Sequence, residues 1–413
     1  MKARGIIIFL LLVCVGAVSA RSGYRTQALA DSIHTLQVRP ASDMLAPPVL
    51  LLGGDDRIVI SFDIFTEDPD ELYYRVVHCN ADWTPSALTE VEYIDGFNNQ
   101  SIDDYALSFN TYRHYVNYRL ELPNEDMRFL VSGNYVVEVY PDGAPDEVLL
   151  TACFSITENV VALACDVTTR TDIDYNKAHQ QLAVKLMHPR YEIRNPREEL
   201  QLHISQNVDE VSHVVAQPLY VRQDELEYAH RPELIFPAGN EYRRFEIVSR
   251  HYNTIGVEGM RYFAPYYHAL LRIDYPRVGS DYVYDETQNG RFLVRNSDTD
   301  NADTEADYFV VHFTLDTGRR LAGEVYVDGE FTHGRRDETT RMNYNAETGV
   351  YEKTMMLKQG AYNYRYVEER TGKVDAAPIE GNCYETRNEY RIRAYHRPMG
   401  ARYDRLIGYT RCR

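Results

Sequence analysis

Tryptophan occurs once in this chain of 413 residues, and basic residues are outnumbered, with 44 Lys and Arg against 62 Asp and Glu. A net charge of −18 lacks the electrostatic footprint of a nucleic-acid binder, and it argues equally against anionic lipid as a partner. Glycine (23) and proline (17) are too scarce for a collagenous or low-complexity chain. Cysteine is too scarce for a disulfide scaffold, with six in all. After the first twenty residues no stretch reaches the ~18 consecutive apolar positions that a membrane-spanning helix needs. The alternating segments are shorter than the roughly ten residues of a transmembrane barrel strand, and their loops are charged, so direct membrane insertion is not expected. What is plentiful is tyrosine, 34 residues against 14 Phe. Its apolar ring and polar hydroxyl suit half-buried pleated surfaces and partner interfaces.

The first twenty residues read as an address. Lys2 and Arg4 form a basic start, Ile6 to Val13 an apolar run, and Val18-Ser19-Ala20 a small-residue cleavage site. That is the pattern of a secretory signal removed after Ala20, and a soluble exported protein is expected. Val13, in place of a small residue before Cys14, argues against a lipoprotein. The remaining cysteines are Cys79, Cys153, Cys165, Cys383 and Cys412. An odd number leaves at least one outside any intrachain pair. Cys383 with Cys412 would close the last segment, and Cys79 with Cys153 could join two strands. Spacing does not decide pairing, and buried apolar thiols are the alternative.

The hydrophobic period is two nearly throughout. Ile58, Ile60, Phe62 and Ile64 share one face, and Tyr135, Val137 and Val139 share another. Similar runs recur to Tyr390–Tyr395, bounded by Gly, Pro, Asn and Asp, and no amphipathic helix longer than three turns stands out. The expected fold is all-β: three consecutive antiparallel β-sandwich domains of the Ig-like or E-set-like kind. They are drawn at 30–158, 159–296 and 306–413. Residues 297–305, acidic and without large apolar side chains, serve as a linker.

Chemistry-bearing motifs are absent. There is no His-Glu-x-x-His, Cys-x-x-Cys, Gly-x-Ser-x-Gly, phosphate-binding loop or Gly-x-Gly-x-x-Gly. Asp298, Asp300 and Asp303 suggest a calcium loop, but its sixth and twelfth positions hold Asp303 and Phe309 instead of Gly and Glu. Adjacent Asp103 and Asp104 suit a turn better than a glycosidase pair. No catalytic residue, metal ligand or cofactor is therefore assigned, and the chain is read as a non-enzyme. Tyr262-Phe263-Ala264-Pro265-Tyr266-Tyr267 gathers four aromatics around a proline that would interrupt an interior strand. On a loop, Tyr262, Phe263, Tyr266 and Tyr267 would serve as partner-binding anchors. The run from Tyr112 to Tyr118 is strand-like and is assigned to packing.

Several segments carry a resemblance in order along the chain. They include Tyr74-Arg-Val-Val-His-Cys-Asn-Ala-Asp-Trp83, Glu92-Tyr-Ile-Asp-Gly-Phe-Asn98, His188-Pro-Arg-Tyr-Glu-Ile-Arg-Asn-Pro196, Arg261-Tyr-Phe-Ala-Pro-Tyr266, Glu380-Gly-Asn-Cys-Tyr-Glu-Thr386 and Arg397-Pro-Met-Gly-Ala-Arg-Tyr-Asp-Arg-Leu406. Together they resemble the plug protein family of the type IX secretion system of Bacteroidetes. The resemblance implies a periplasmic, non-enzymatic protein. Such a protein binds the periplasmic mouth of a very large outer-membrane β-barrel translocon and closes it when no cargo passes. Nothing in the chain demands more than a monomer. Gly323-Glu-Val-Tyr-Val-Asp-Gly-Glu-Phe331 is similar to sandwiches appended to starch- and glycogen-acting enzymes. It supports an alternative, a secreted carbohydrate-binding or carbohydrate-processing β-protein.

Overall fold

The alternation in Arg57–Phe65 produces the strand Ile58–Ile64, whose Ile58, Ile60, Phe62 and Ile64 are buried on one face. The computed structural model that shows this describes residues 23–413, so the signal segment 1–20 lies outside the described residues. Tyr135, Val137 and Val139 of Gly133–Pro141 supply the facing layer, and Val76, Tyr118 and Phe154 complete the first core. One sheet runs in the order Gln27–Ala28, Leu150–Thr157, Gly133–Pro141, Leu72–Cys79, Gln100–Ser101, with Val49–Leu51 parallel to Leu150–Thr157. The other runs Ile33–Pro40, Ile58–Ile64, Val116–Leu122, Tyr105–Leu107. Two sheets facing across an apolar layer make a sandwich.

Two further sandwiches follow, and the all-β expectation holds. Among the described residues the α-helices are single turns such as Glu90–Tyr93, and none is long and apolar enough to cross a membrane. The middle sandwich packs Ala162–Thr168, His179–Met187, Glu225–Tyr228 and Tyr220–Val221 against Asp209–Ala216, Leu200–Gln206, Tyr390–His396 and Arg405–Cys412. The last centres on the long strand Gly360–Arg370, which faces Val257–Phe263, Tyr266–Leu271, Tyr308–Asp316, Val350–Lys358 and Asn343–Asn345.

The packing units depart from the drawn boundaries. The second core takes residues 161–236 and then 390–412, while the third core occupies 245–379 between them. Leu200–Gln206 pairs with Tyr390–His396 along seven residues, so the end of the chain completes the middle sandwich. The last sandwich is thus inserted into the middle one. The acidic segment 297–305 is not a free linker either. Ala302–Glu305 forms a helical turn, Thr304 is buried, and the Asp303 carbonyl accepts from Lys358 Nζ (2.7 Å) and the Tyr115 hydroxyl (3.2 Å). Composition marks this stretch as hydrophilic but carries no sign that its backbone carbonyls are wanted elsewhere.

The cysteines pair differently from both candidate pairings. The disulfide joins Cys165 to Cys412 and ties the last strand of one sheet of the middle sandwich to the first strand of the other. Cys383 forms no disulfide. Cys79 and Cys153 sit on strands flanking Gly133–Pro141 on either side. Two strand spacings, about 9.5 Å, exceed the reach of a disulfide.

Parts of the outer faces of the sandwiches are buried too, where the three units press together. Asp63 points away from the first core and is fully buried against the last unit. It accepts from Asn117 Nδ2 (2.7 Å), the Tyr308 hydroxyl (2.6 Å) and Lys358 Nζ (2.7 Å). Between the first and middle units, Arg405 pairs with Glu158 through two bonds (3.0 and 2.6 Å), and the Tyr395 hydroxyl donates to Asn134 Oδ1 (2.8 Å). Between the middle and last units, buried Arg291 pairs with buried Glu389. In these pairs each charge meets an opposite charge, the condition under which burial of ions is tolerated.

Candidate partner-binding surface

The aromatic run 262–267 is a hairpin and not the expected loop. Val257–Phe263 and Tyr266–Leu271 are antiparallel, with Tyr262 opposite Tyr267 and Phe263 opposite Tyr266. Ala264 and Pro265 form the two-residue tip, and the peptide bond between them is cis. Proline is harmless there because the tip needs no ladder N–H. The second strand ends at Leu271, and Asp274 only bridges to Leu315.

The four proposed anchors divide into two pairs. Tyr262 and Phe263 are exposed, at 47% and 55%. Tyr266 and Tyr267 are half-buried. The Tyr266 hydroxyl accepts from Arg113 Nη1 (3.2 Å), which links the hairpin to the first unit. Tyr267 stacks on Phe309, with ring centroids 5.5 Å apart, and packs on the last core. Burial beside Tyr112 raises the Tyr267 pKa, so its hydroxyl stays protonated. Within this set, the groups available to a partner are Tyr262 and Phe263.

Tyr112 belongs with them, although it was assigned to packing. It is 45% exposed, and its ring lies 5.1 Å from Tyr262 and 5.4 Å from Tyr267. The Arg250 guanidinium sits 5.7 Å from its centroid. The loop carrying Tyr112 is held by Asp307, whose carboxylate accepts from the backbone N–H groups of Tyr112 (3.0 Å) and Arg113 (3.3 Å). Burial raises the Asp307 pKa, against the pull of those hydrogen bonds. The same edge of the first unit exposes Tyr105, Leu107 and Phe109, alternate residues leading into the loop. That alternation is present in the sequence, but only the fold shows that nothing among the described residues covers it. The surface therefore joins the first and last units, with aromatics at its centre and arginines beside them, the composition of interface anchors.

A histidine pair lies beside this surface. His268 Nδ1 and His312 Nε2 approach to 2.8 Å near Phe263, and burial together with this neighbour lowers the His312 pKa. Among the described residues no group of three or more His, Cys, Asp or Glu side chains is placed to hold a metal ion.

Three interlocked sandwiches with an exposed aromatic junction define a multi-domain protein of the all-β class. Residues 33–158 match the family described as type 9 secretion system plug protein, first domain. The whole chain is similar to a hypothetical protein from Parabacteroides merdae of known crystal structure. The TM-score is 0.92 and the identity 45%, covering 94% of this chain and 99% of that one. No curated protein matches the chain. The chain belongs to the type IX secretion system plug protein family.

Proposed function

We propose that this protein acts in the periplasm as a non-enzymatic plug. It binds the periplasmic mouth of the large outer-membrane β-barrel translocon of the type IX secretion system and seals it when idle. The observation that carries the reading is the match of residues 33–158 to the plug family's first domain. The interlocked arrangement is consistent with it: a wide water-filled barrel is closed by shape, which asks for a body that does not deform. Ion pairs and buried tyrosines at each junction meet that need. Plugging is then an equilibrium between capped and uncapped barrel, shifted by whatever binds the uncapped state better. A standard interface buries about 1,200–2,000 Å² and depends on a few anchors. Tyr112, Tyr262 and Phe263 are the anchors proposed here.

The test is affinity capture of the tagged protein from detergent-solubilised envelope of its own cell, with partners identified by mass spectrometry. A giant outer-membrane barrel should be the main partner. The double variant Tyr262→Ser/Phe263→Ser should capture at least about tenfold less of it while remaining folded. Recovery of the wild type alone, or with polysaccharide-processing enzymes, would overturn the plug reading. Undiminished capture by the folded double variant would overturn only the anchor assignment.

A further inference from the structure

The three units line a cavity of about 600 Å³, open to solvent, where they meet. Its wall takes Trp83 and Phe154 from the first unit, His203 and Arg393 from the middle unit, and Glu330 and Arg336 from the last. The size is that of a small-molecule site, and such sites favour domain junctions.

Its charge runs against that of the chain. The protein as a whole has an excess of acidic groups, yet the wall carries five arginines (25, 291, 336, 391 and 393) and only three acids (82, 328 and 330). Charges of both signs in the wall are partly engaged: Arg291 pairs with Glu389, and two of the three acids meet arginines. Asp328 is held by Arg336 (2.7 Å) and Arg365 (2.8 Å), and Glu330 lies 3.7 Å from buried Arg39. His203 and His333 add no positive charge at neutral pH. Burial pushes the His203 pKa down to about 3 and the His333 pKa down to about 4.

The hydrogen-bond balance points the same way. Gln37 lines the cavity and is more than nine-tenths buried, and its Nε2 has no partner among the described residues. Arg336 Nε, also in the wall, is buried and unpartnered. Both atoms are donors, and a buried donor without an acceptor is costly. The rest of the wall includes apolar groups, among them Leu36, Pro47, Pro48 and Phe154. Trp83 is held there with φ of +64°, a region a bulky side chain rarely adopts. Its turn is fixed by its own N–H to Asn80 O (2.9 Å) and by Tyr24 N–H to its carbonyl (3.0 Å). Backbone held in so unfavourable a region is a recurrent mark of ligand sites.

We propose that this junction cavity is a binding site for a small organic anion, with a carboxylate or phosphate head and an apolar body. The head meets the unpartnered donors of Gln37 and Arg336; the body lies against Trp83, Phe154 and the proline pair. The site is separate from the aromatic surface and does not depend on the plug reading.

The single tryptophan makes the test direct. Full-length mature protein labelled with 5-fluorotryptophan gives one ¹⁹F resonance, that of Trp83. Titration with 1-naphthyl phosphate should shift it saturably. The neutral 1-naphthalenemethanol and inorganic phosphate should each bind at least roughly tenfold more weakly, since each lacks one half of the recognition. Gln37→Met should weaken 1-naphthyl phosphate by roughly tenfold and leave the alcohol unchanged. The absence of a saturable shift with 1-naphthyl phosphate would overturn the proposal. Equal affinity for the neutral alcohol would reduce the cavity to an apolar hole, and equal affinity for inorganic phosphate would remove the need for the apolar body. Either result overturns the proposal as stated. Should Gln37→Met fail to fold, the comparison of the three probes on the wild type still decides the matter.

Discussion

Lys358 and Asp63 concentrate the problem of joining two sandwiches. Burial drives the Lys358 pKa down, against the opposing pull of the Asp63 carboxylate. Lys358→Met strands the Asp63 carboxylate in a fully buried site, and the expected loss is about 3–5 kcal/mol. The double variant Asp63→Asn/Lys358→Met removes both charges and should recover most of that loss. Urea denaturation of the three proteins checks this; equal losses in the single and double variants would mean that the pair does not hold the junction. Buried titratable groups also fix how stability responds to acid. Burial lowers the pKa of His78 to about 4 and of His203 to about 3. Their folded pKa values lie below the unfolded value near 6.5. The stability they confer is therefore complete above about pH 6.5 and is lost as pH falls towards 4, on the order of 3 kcal/mol each. For Glu380 and Glu389 burial pushes the pKa up, but Arg243 and Arg277 around the first and Arg291 beside the second outweigh it. Their contribution is present above about pH 4.5 and is lost below it. The urea midpoint should stay level above pH 7, decline from about 6.5, and fall again below about 4.5. A midpoint unchanged from pH 7 to pH 4 would show that these histidines are not buried neutral.

Strands are informative here chiefly through what each one closes. Arg405–Cys412 lies at the edge of its sheet, and its Cys412 is bonded to Cys165 across the sandwich. Cys412→Ser should destabilise the oxidised protein by about 2–4 kcal/mol and leave the reduced protein nearly unaffected. Thermal unfolding with and without reductant separates the cases, and a reductant effect equal in wild type and variant would refute the bond. The hairpin Val257–Phe263/Tyr266–Leu271 divides its aromatics between surface and core. Tyr262→Ala or Phe263→Ala should change stability by no more than about 0.5 kcal/mol, whereas Tyr267→Ala, which removes the stack on Phe309, should cost about 2 kcal/mol or more. Equal effects at the three positions would mean that the hairpin sits differently on the sheet.

For the molecule as a whole, the nesting of one sandwich in another governs which pieces are autonomous. The first core closes within residues 33–156, so a fragment spanning 23–158 should fold alone and unfold cooperatively. A fragment spanning 159–296 lacks Tyr390–His396 and Arg405–Cys412, half of one sheet, and should not fold. Circular dichroism and amide hydrogen exchange of the two fragments provide the check, and a protected, cooperatively unfolding 159–296 would contradict the nested arrangement. The aromatic surface and the junction cavity both exist only in the assembled molecule, because the first and last units each supply part of both.

The amino-acid sequence by itself determined the all-β class, because a period of two assigns each side chain to a face with no reference to the rest of the chain. Ile58 to Ile64 and Tyr135 to Val139 could be placed on core faces from their spacing alone. The ordered segments from Tyr74 to Leu406 likewise sufficed for the plug family. Only the tertiary structure decided which strand lies beside which. Backbone N–H and C=O groups are chemically alike in every strand, so nothing local told Leu200–Gln206 to wait for Tyr390–His396. The same long-range choice set the Cys165–Cys412 bond, buried Asp63 against Lys358, and turned an acidic segment read as linker into a clasp. It also left Tyr262, Phe263 and Tyr112 exposed while Tyr267 packed on a core, since exposure depends on what the rest of the chain covers.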